Sequence, residues 1–475
     1  MTNIVTPIAQ VETAIPAFIG YTNKAVGANE KSLLNIPTRI SSLQELERYF
    51  FDMPVNGFVE NEMNIQVHVT RKYDNPMSRK LLAISTVASN TSPSKNNLLN
   101  SLRLFFSNGG GVCYVVSVGN TNGDVYYDEL KKGLDALEHY SEPTLIVIPE
   151  GLSLDEDSYY QLMGYAIDQC AKLRDRFAIV DIHTTKPTVS ETMNNFRTKF
   201  AKTDNLKYAA TYYPHVKTIF SYQYMPKDVE VIIKNTFTNG NAYIISPTVK
   251  MSIFESNARN MRTDSYDNGV YISCMSAISE LTPILPASPA IAGMYSSVDK
   301  QRGVWSAPSN VSLTAVTDVS CAITDAQHDL MQIDVNTGKS ANSIRKVSGK
   351  GFMVWGARTL DGKNNEFRYV PSQRLFMMVE ESIKLALESL ALEHNNQGTW
   401  DKIRAMVDNF LFLMWRRGAL VGNKQEDAFY VHCGLGQTMT QLDIIEGNII
   451  LEYGLAMMRP TEFIVNRLTQ KLQTV

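Results

Sequence analysis

The chain has 475 residues, about three times the length of an average domain, so we expect more than one folded unit. Hydrophobic residues make up 44% of the chain and charged residues 20%, a composition that excludes disordered and fibrous proteins. Lysine and arginine total 45 against 48 aspartate and glutamate residues, and the formal charge of -3 gives no general attraction to nucleic acid or anionic lipid. We therefore predict no nucleic-acid partner.

The cysteines and the first residues indicate the compartment. The five cysteines are widely spaced without a Cys-x-x-Cys pair, so neither a disulfide framework nor a zinc site is indicated. The first residues lack the basic and apolar regions of a signal peptide, and the longest apolar runs are much shorter than the ~18 residues of a membrane span. We expect a protein made in the cytoplasm, with no cofactor, no metal and no direct membrane insertion.

Between about residues 100 and 185, short β-branched runs alternate with amphipathic segments, which is typical of strands and crossover helices in a parallel sheet. The predicted elements are a strand at 112–118, a helix at 127–137, a strand at 144–148, a helix over about 157–175 and a strand at 177–182. The middle region is therefore predicted to be an α/β layer.

Two motifs partly resemble nucleotide-binding sequences. The dinucleotide fingerprint Gly-x-Gly-x-x-Gly would need glycines at positions that hold Thr121 and Asp124. The run Gly338-Lys339-Ser340 resembles the end of a phosphate loop, but the glycine that should stand five residues earlier is replaced by Ile333. The sequence therefore predicts no nucleotide site.

Asp181 and His183, at the end of the third predicted strand, resemble a catalytic pair. A hydrolase would use the aspartate to orient a histidine that activates a serine, but no Gly-x-Ser-x-Gly elbow accompanies them. We expect Asp181 to cap the turn that follows its strand. An α/β hydrolase-like enzyme centred on Asp181 and His183 stays as an alternative.

The chain becomes polar and irregular from about 186 to 285. A tyrosine-rich run ending at Pro214 is predicted to be a core strand that leads into a turn. Residues 218–283 contain one strand-like run, at 242–246, and are interpreted as an insertion that faces solvent or a neighbour.

The carboxyl-terminal part is predicted to be a compact α+β domain. Apolar stripes indicate helices at 373–392 and 401–420, and strands are predicted at 351–355, 428–432 and 448–453. A last strand, 462–470, alternates between two faces, which hold Phe463, Val465 and Arg467 on one side and Ile464, Asn466 and Leu468 on the other. Such a strand can pair within its own sheet or add to the edge of a neighbour's sheet, and the residues alone leave both open.

Several motifs, in chain order, carry a family resemblance. They are AIPAFIG at 14–20, IAGMYSSVD at 291–299, RGVWSAPSN at 302–310, GFMVWGARTL at 351–360, FRYVPSQRLF at 367–376 and RPTEFI at 459–464. With them, the sequence resembles the tail sheath proteins of contractile phages and of phage-tail-like contractile injection systems. The match is dense over about 285–475 and patchy over 11–215, and it does not extend to 218–283.

The resemblance implies a structural protein and not an enzyme. Copies would assemble as six-fold helical rings around an inner tube and contract to drive the tube through a target envelope. The implied partners are other copies of the chain, the inner tube protein, and baseplate and tail terminator proteins. Assembly would take place in the cytoplasm and yield a phage tail or an injection particle that can be released.

The implied fold class is an α/β and α+β multidomain protein with exchangeable terminal strands. The expected units are an arm and first strand (1–24), a small amino-terminal domain (25–106), a middle outer α/β domain with the insertion 218–283 (107–334), and an inner sheath domain (335–475). The candidate site residues are Phe463, Ile464, Val465, Arg467 and Leu468 in the subunit-linking strand, Asp443 and Glu446 facing the tube, and Ile4, Val5, Ile8 and Val11 in an amino-terminal link.

One departure from the family keeps a second function open. Sheath proteins usually begin with a longer arm, whereas here only residues 1–8 precede the segment 9–12. The alternative expectation is a baseplate-proximal or capping sheath paralogue.

Overall fold

A computed structural model describes residues 7–51, 65–74, 80–90, 97–121, 124–202, 204–222, 224, 226–238, 243–245, 247–254, 265–334, 336–457 and 464–471. The strands are β1 (Pro16–Thr22), β2 (Thr38–Ile40), β3 (Ile65–Tyr73), β4 (Leu81–Asn90), β5 (Cys113–Asn120), β6 (Leu145–Val147), β7 (Phe177–Asp181), β8 (Ala209–Tyr213), β9 (Val216–Thr218), β10 (Glu230–Phe237), β11 (Tyr243–Ile245), β12 (Val249–Lys250), β13 (Ile284–Leu285), β14 (Val311–Ser312), β15 (Val316–Val319), β16 (Asn342–Val347), β17 (Gly351–Trp355), β18 (Phe429–His432), β19 (Asn448–Leu455) and β20 (Ile464–Lys471). The helices are α1 (Leu43–Phe50), α2 (Leu98–Ser107), α3 (Tyr127–Leu137), α4 (Glu156–Leu173), α5 (Val189–Lys199), α6 (Ser265–Ser279), α7 (Ser288–Arg302), α8 (Asp325–Gln332), α9 (Val370–Glu388), α10 (Gln397–Arg416), α11 (Gln425–Ala428) and α12 (Gln441–Ile445).

A large mixed sheet organises the main unit, with strand order β14-β17-β16-β8-β7-β6-β1-β5-β2 among the described residues. β1 lies between β5 and β6 and is parallel to both, so that Phe18 stands opposite Val115 and Val147. Every residue of β1, β6, β7 and β8 is buried. The strands are mainly apolar because helices pack on the sheet. These helices are α3 and α4, which contact each other, and α2 and α7, which also contact each other.

The α/β layer predicted for residues 100–185 is confirmed, element by element and within a few residues at each end. Local sequence explains where α4 begins. The side chain of Asp155 accepts a hydrogen bond from the Ser158 N–H at 3.0 Å and so caps the first turn of α4. The broader prediction of a mixed α/β protein with several sheets is also confirmed.

Helices α2 and α7 cross at very short range because of one glycine in the IAGMYSSVD motif. A Cβ atom built on Gly293 would lie 2.3 Å from the Phe105 carbonyl oxygen, a distance no real side chain adopts. The motif therefore fixes how α7 packs against α2 and the sheet.

Strand pairing crosses all three of the expected domain boundaries. β16 is parallel to β8 and antiparallel to β17, so residues beyond 335 complete the main sheet. β1 and β2, which come before 106, pair with β5 of the same sheet. The division into domains stays a prediction, and the main sheet joins parts of all four of its units.

A second, smaller unit combines two distant parts of the chain. β10 runs parallel to β3 over eight residue pairs, from Glu230 opposite Gln66 to Phe237 opposite Tyr73, and β4 lies antiparallel to β3. α6 packs on this sheet, and their shared core holds Val67, Val231 and Cys274. The predicted strand within 242–246 is confirmed as β11, whereas β10 and α6 were not predicted.

The carboxyl-terminal unit contains α9, α10 and the sheet β18-β19-β20 around one core. The two predicted helices are confirmed, but each begins three or four residues earlier than expected. α9 begins at Val370 because Pro371 is acceptable in a first turn, and α10 begins at Gln397 because the Asn396 side chain accepts the Thr399 N–H. Across the described ranges, no helix combines the length and apolar character that a bilayer crossing needs.

Candidate functional site

Asp181 is buried at the end of β7, where it caps a helix. Its carboxylate accepts a hydrogen bond from the Ser288 N–H at 3.0 Å and another from the Ser288 hydroxyl, at the first residue of α7. Burial raises the pKa of Asp181 to about 6, although the two hydrogen bonds oppose this shift. The expectation that Asp181 caps the following turn is wrong, since its partner lies 107 residues further along the chain.

His183 has different partners from Asp181. Its Nε2 atom lies 3.1 Å from the Leu154 carbonyl oxygen, and its backbone N–H donates to the Tyr160 hydroxyl at 3.2 Å. A hydrolytic site needs an aspartate that orients the histidine and a histidine that contacts the nucleophile. In the described residues, Asp181 instead bonds to the start of α7, and the His183 ring bonds to a backbone carbonyl group. Both side chains therefore hold parts of the fold together.

The Gly-Lys-Ser run is a helix cap. The Lys339 ammonium group is buried and donates to the carbonyl oxygens of Arg197, at 3.0 Å, and Phe200, at the end of α5. Burial lowers the pKa of Lys339. Its charge is therefore used within the fold, where a phosphate loop would present it to a ligand. Within the described ranges, no group of three or more histidine, cysteine or acidic residues could hold a metal ion.

Arg374 lies at a junction where the main unit, the carboxyl-terminal unit and the segment before β1 meet. Arg374 of α9 forms a buried ion pair with Asp299 of α7, with nitrogen–oxygen distances of 2.5 and 3.1 Å. The guanidinium also donates to the Thr13 carbonyl oxygen at 2.8 Å and lies 4.5 Å from the ring centre of Tyr295. Both residues lie in motifs of the sequence, but no role was predicted for either. Their opposite charges are the one feature of the sequence that indicates the pairing.

The segment before β1 lies against the carboxyl-terminal unit. Ile8 and Val11 pack against that unit's core, and the Val11 N–H donates to the Ser382 hydroxyl at 3.1 Å. Two of the four amino-terminal candidates are therefore brought to the unit that contains the terminal strand. The other two, Ile4 and Val5, lie outside the described residues.

The terminal strand pairs within its own chain in this structure. β20 runs antiparallel to β19 over eight residue pairs, from Asn448 opposite Lys471 to Leu455 opposite Ile464. Its side chains alternate as predicted, with Ile464 buried and Val465 and Arg467 exposed. Phe463 lies outside the described residues, and exchange of this strand between subunits stays a prediction.

The tube-facing candidates lie at a short surface helix near β20. Asp443 accepts hydrogen bonds from the N–H and hydroxyl of Thr440, each at 2.7 Å, and these bonds lower its pKa with help from the Arg467 charge. Glu446 is exposed at the end of α12. Leu442 and Ile445 beside them are 62% and 69% exposed. The structure thus brings the terminal strand and the tube-facing candidates to one unit.

Comparisons with known proteins identify no family model and no curated protein sequence that matches the chain. Solved structures do match over nearly its whole length. A PVC extracellular contractile injection system sheath complex in the contracted state shares 27% identity, with 99% of this chain and 96% of that chain covered and a TM-score of 0.62. The contracted helical sheath of the anti-feeding prophage shares 25% identity, with coverages of 98% and 96% and a TM-score of 0.61. A six-fold symmetrised baseplate structure of the same particle shares 26% identity, with coverages of 99% and 98% and a TM-score of 0.60.

These similarities extend from the segment before β1 to the terminal strand. They also include residues 218–283, for which the sequence motifs give no match. The resemblance to contractile sheath proteins inferred from the motifs is confirmed.

Proposed function

We propose that this chain, a contractile sheath protein by fold and by sequence similarity, is a structural subunit that assembles with copies of itself into six-fold helical rings around an inner tube. The observation that carries the proposal is the match of 99% of the chain, at 27% identity, to the sheath subunit of a contracted injection particle. Contraction of the rings would drive the tube through a target envelope.

The energy for contraction would be stored in the assembly. The lysine of the Gly338-Lys339-Ser340 run is used to cap a helix, so we look for the energy in the packing of subunits and not in a bound nucleotide. Two packings of the same subunits that differ by only a few kcal/mol each would supply a large directed force when summed over many copies. We therefore propose a metastable extended sheath that shortens and widens when triggered.

The chain ends would link neighbouring subunits. Among the described residues, β20 is the edge strand of its sheet, and its exposed Val465 and Arg467 alternate with the buried Ile464 and the partly buried Leu468. The same strand can add to β19 of a neighbouring copy, because main-chain hydrogen bonds do not depend on which copy supplies it. Ile8 and Val11 lie on the same unit, so an amino-terminal link involving Ile4 and Val5 would start beside this sheet.

The inner face would be the surface around α12. Asp443 and Glu446 carry negative charge there, and exposed Leu442 and Ile445 supply apolar contact area. Charged and apolar groups side by side are suited to recognising a partner surface of complementary charge. We propose that this surface contacts the inner tube protein, that residues 335–475 include the inner domain, and that the smaller unit of β3, β4, β10 and α6 lies outside.

A second candidate is a baseplate-proximal or capping sheath paralogue. It is favoured by the 26% identity to a chain in the anti-feeding prophage baseplate. Contacts with baseplate and terminator proteins belong to both candidates. The proposed particle would be assembled in the cytoplasm before release.

Electron microscopy of the purified full chain tests the two candidates. A main sheath subunit is expected to form long striated tubes by itself or on added tube protein. Single rings or short stacks that do not lengthen on added tube protein would instead favour the capping role. A chain that stays monomeric under both conditions would contradict both.

A further inference from the structure

The first five strands that pair in parallel in the main sheet follow a doubly wound order. In the chain they come as β1, β5, β6, β7 and β8, and in the sheet they lie as β5-β1-β6-β7-β8. The connection from β1 to β5 runs one way along the sheet and the connection from β5 to β6 runs back across β1. Since such connections are right-handed, they lie on opposite faces. Sheets of this kind bind ligands where the direction reverses, in the crevice outside the carboxyl ends of the strands.

The buried carboxylate of Glu150 occupies this crevice. Glu150 stands three residues after β6 and is 1% exposed. One of its oxygens accepts the Tyr21 N–H, near the end of β1, at 2.6 Å. The other accepts the Leu98 N–H, at the first residue of α2, at 2.8 Å, and the Asn97 N–H also donates to the group. The carboxylate therefore joins the ends of β1 and β6 to the start of a helix, where backbone donors and the helix dipole favour an anion.

Gly20 makes room for this carboxylate. A Cβ atom built on Gly20 would collide with the Oε2 atom of Glu150. Gly20 is the last residue of the AIPAFIG motif, and the residue after it, Tyr21, supplies one of the N–H donors. The backbone of β1 is therefore shaped to admit the carboxylate as well as to bind it.

Backbone groups, and not a cation, oppose the cost of burying Glu150. Burial raises the pKa of Glu150 to about 8, and the three backbone N–H donors act against this shift. Both oxygens accept hydrogen bonds, which suits a carboxylate, whose oxygens only accept. The nearby Tyr21 hydroxyl donates to Glu129 at 2.6 Å, and burial raises the pKa of Tyr21 as well. At about pH 9, Glu150 is therefore mainly ionised while Tyr21 stays neutral.

We propose that the carboxylate of Glu150 is a built-in ligand, which fills the position where sheets of this order bind an external anion. Without this side chain, the same backbone donors would bind a small free carboxylate such as acetate. In the native chain the position is closed to external anions, and β1, β6 and α2 are held together by the group that closes it. The inference concerns the single chain and does not depend on the proposed sheath function.

Chemical rescue of Glu150→Ala by acetate tests the proposal. The substitution removes a CH₂–COO⁻ group, which acetate replaces almost atom for atom. At about pH 9, the unassembled full-length variant should melt at a lower temperature than the wild type, and acetate should raise that temperature saturably, by roughly 2–4 °C or more. Acetamide, which has the same shape without the charge, should not. The wild type, whose site is filled, shows the general effect of the salt.

Asp155→Ala is the matched control. Asp155 also accepts an N–H at the start of a helix, from Ser158 at 3.0 Å, but it is exposed, so water competes with any added anion. Acetate should not recover its loss of stability. The proposal is overturned if acetate raises the melting temperature of Glu150→Ala no more than those of the wild type and this control, or if acetamide acts as well as acetate.

A second measurement applies if Glu150→Ala does not fold without an anion. The denatured variant is then refolded in acetate or in acetamide, and the yield of folded chain is compared. Recovery in acetate alone supports a built-in ligand. Recovery in both, or in neither under conditions that refold the wild type, overturns it.

Discussion

Arg374 and Asp299 form an ion pair that is buried at the junction of two units. Their side chains are 3% and 8% exposed, and they lie 75 residues apart in sequence. Asp299 belongs to the motif IAGMYSSVD and Arg374 to the motif FRYVPSQRLF. Two of the segments that carry the family resemblance therefore meet in space, and opposite charges neutralise each other there out of contact with water.

Removing one partner of this pair is expected to be strongly destabilising. Arg374→Met leaves the Asp299 carboxylate buried without its cation, which costs about 3–5 kcal/mol in the free energy of unfolding. Arg404→Met is the control, because Arg404 pairs with Asp401 on the exposed surface of α10 and its loss costs less than about 1 kcal/mol. Denaturant midpoints of the unassembled chain provide the comparison, and equal small shifts for both variants would contradict a structural role for the pair.

The pH dependence of stability is expected to include a contribution from Asp181. Its pKa in the folded chain is raised to about 6 from the ordinary 3.8, so the folded state binds a proton more tightly than the unfolded state. Stability from this group is complete below about pH 4 and is lost as the pH rises through about 6. Asp181→Asn keeps an acceptor for the Ser288 N–H and does not titrate. Relative to the wild type, the variant should gain about 1–2 kcal/mol between about pH 5 and about pH 8.

Denaturation at these two pH values measures that difference. Asp157→Asn, at an exposed position of α4, serves as the control and should follow the wild-type profile. A wild type and an Asp181→Asn variant with the same pH dependence would show that burial does not perturb this carboxyl group.

Two helical glycines are expected to respond oppositely to the same change. Gly293→Ala would force a methyl group to within 2.3 Å of the Phe105 carbonyl oxygen, so α2 and α7 must separate, at a cost of about 1–3 kcal/mol. A Cβ atom at Gly269 in α6 meets nothing within 4 Å, and Gly269→Ala should gain about 0.5–1 kcal/mol. Thermal melting of the two variants measures both effects. An unchanged melting temperature for Gly293→Ala would mean that α2 and α7 do not approach each other closely.

Reversing the charges at the proposed tube surface is expected to weaken tube attachment. The double variant Asp443→Lys and Glu446→Lys should reduce the binding of subunits to added tube protein by roughly tenfold, through lost attraction and new repulsion. Thr440→Ala removes a hydrogen bond that caps α12 but keeps both charges, and it should bind like the wild type. Normal tube binding by the double variant would place the inner face elsewhere.

Exchange of the terminal strand is testable by cysteine cross-linking. Glu452 stands opposite Arg467 in the β19–β20 ladder, so Glu452→Cys with Arg467→Cys can form a disulfide across it. If β20 is supplied by a neighbour, oxidised assemblies should separate on a denaturing gel as a ladder of linked chains. The single variants are the controls. Disulfides that form only within one chain in assembled tubes would contradict the exchange.

The α/β layer could be predicted because each of its strands and helices has a recognisable pattern in the local sequence. β5 to β7 are apolar runs separated by helices with one apolar face, and both patterns are readable within a few residues. β10 and α6 were not predicted for the opposite reason. β10 pairs with β3, which lies more than 150 residues earlier in the chain. In α6, the buried Val270, Cys274 and Ile278 are accompanied by exposed Ile272 and Met275, so its apolar residues are not confined to one face. Their assignment depends on tertiary contacts.

The candidate residues show the same limit. The alternation of Ile464 and Val465 between core and solvent follows from strand geometry and was predicted correctly. The partner of Asp181 was not, because Ser288 is brought to it only by the fold of the intervening chain. The pairing of Arg374 with Asp299 is likewise a long-range contact. Roles that depend on local periodicity can be inferred from sequence, whereas roles that depend on contact between distant segments cannot.

Electron cryomicroscopy of the full chain assembled with its tube protein tests the central claim most directly. The account predicts a helical lattice of this chain with six-fold rotational symmetry, in which α12 lines the inner surface and the smaller unit lies outermost. A reconstruction without six-fold rings, or a chain that stays monomeric in the presence of tube protein, would contradict it.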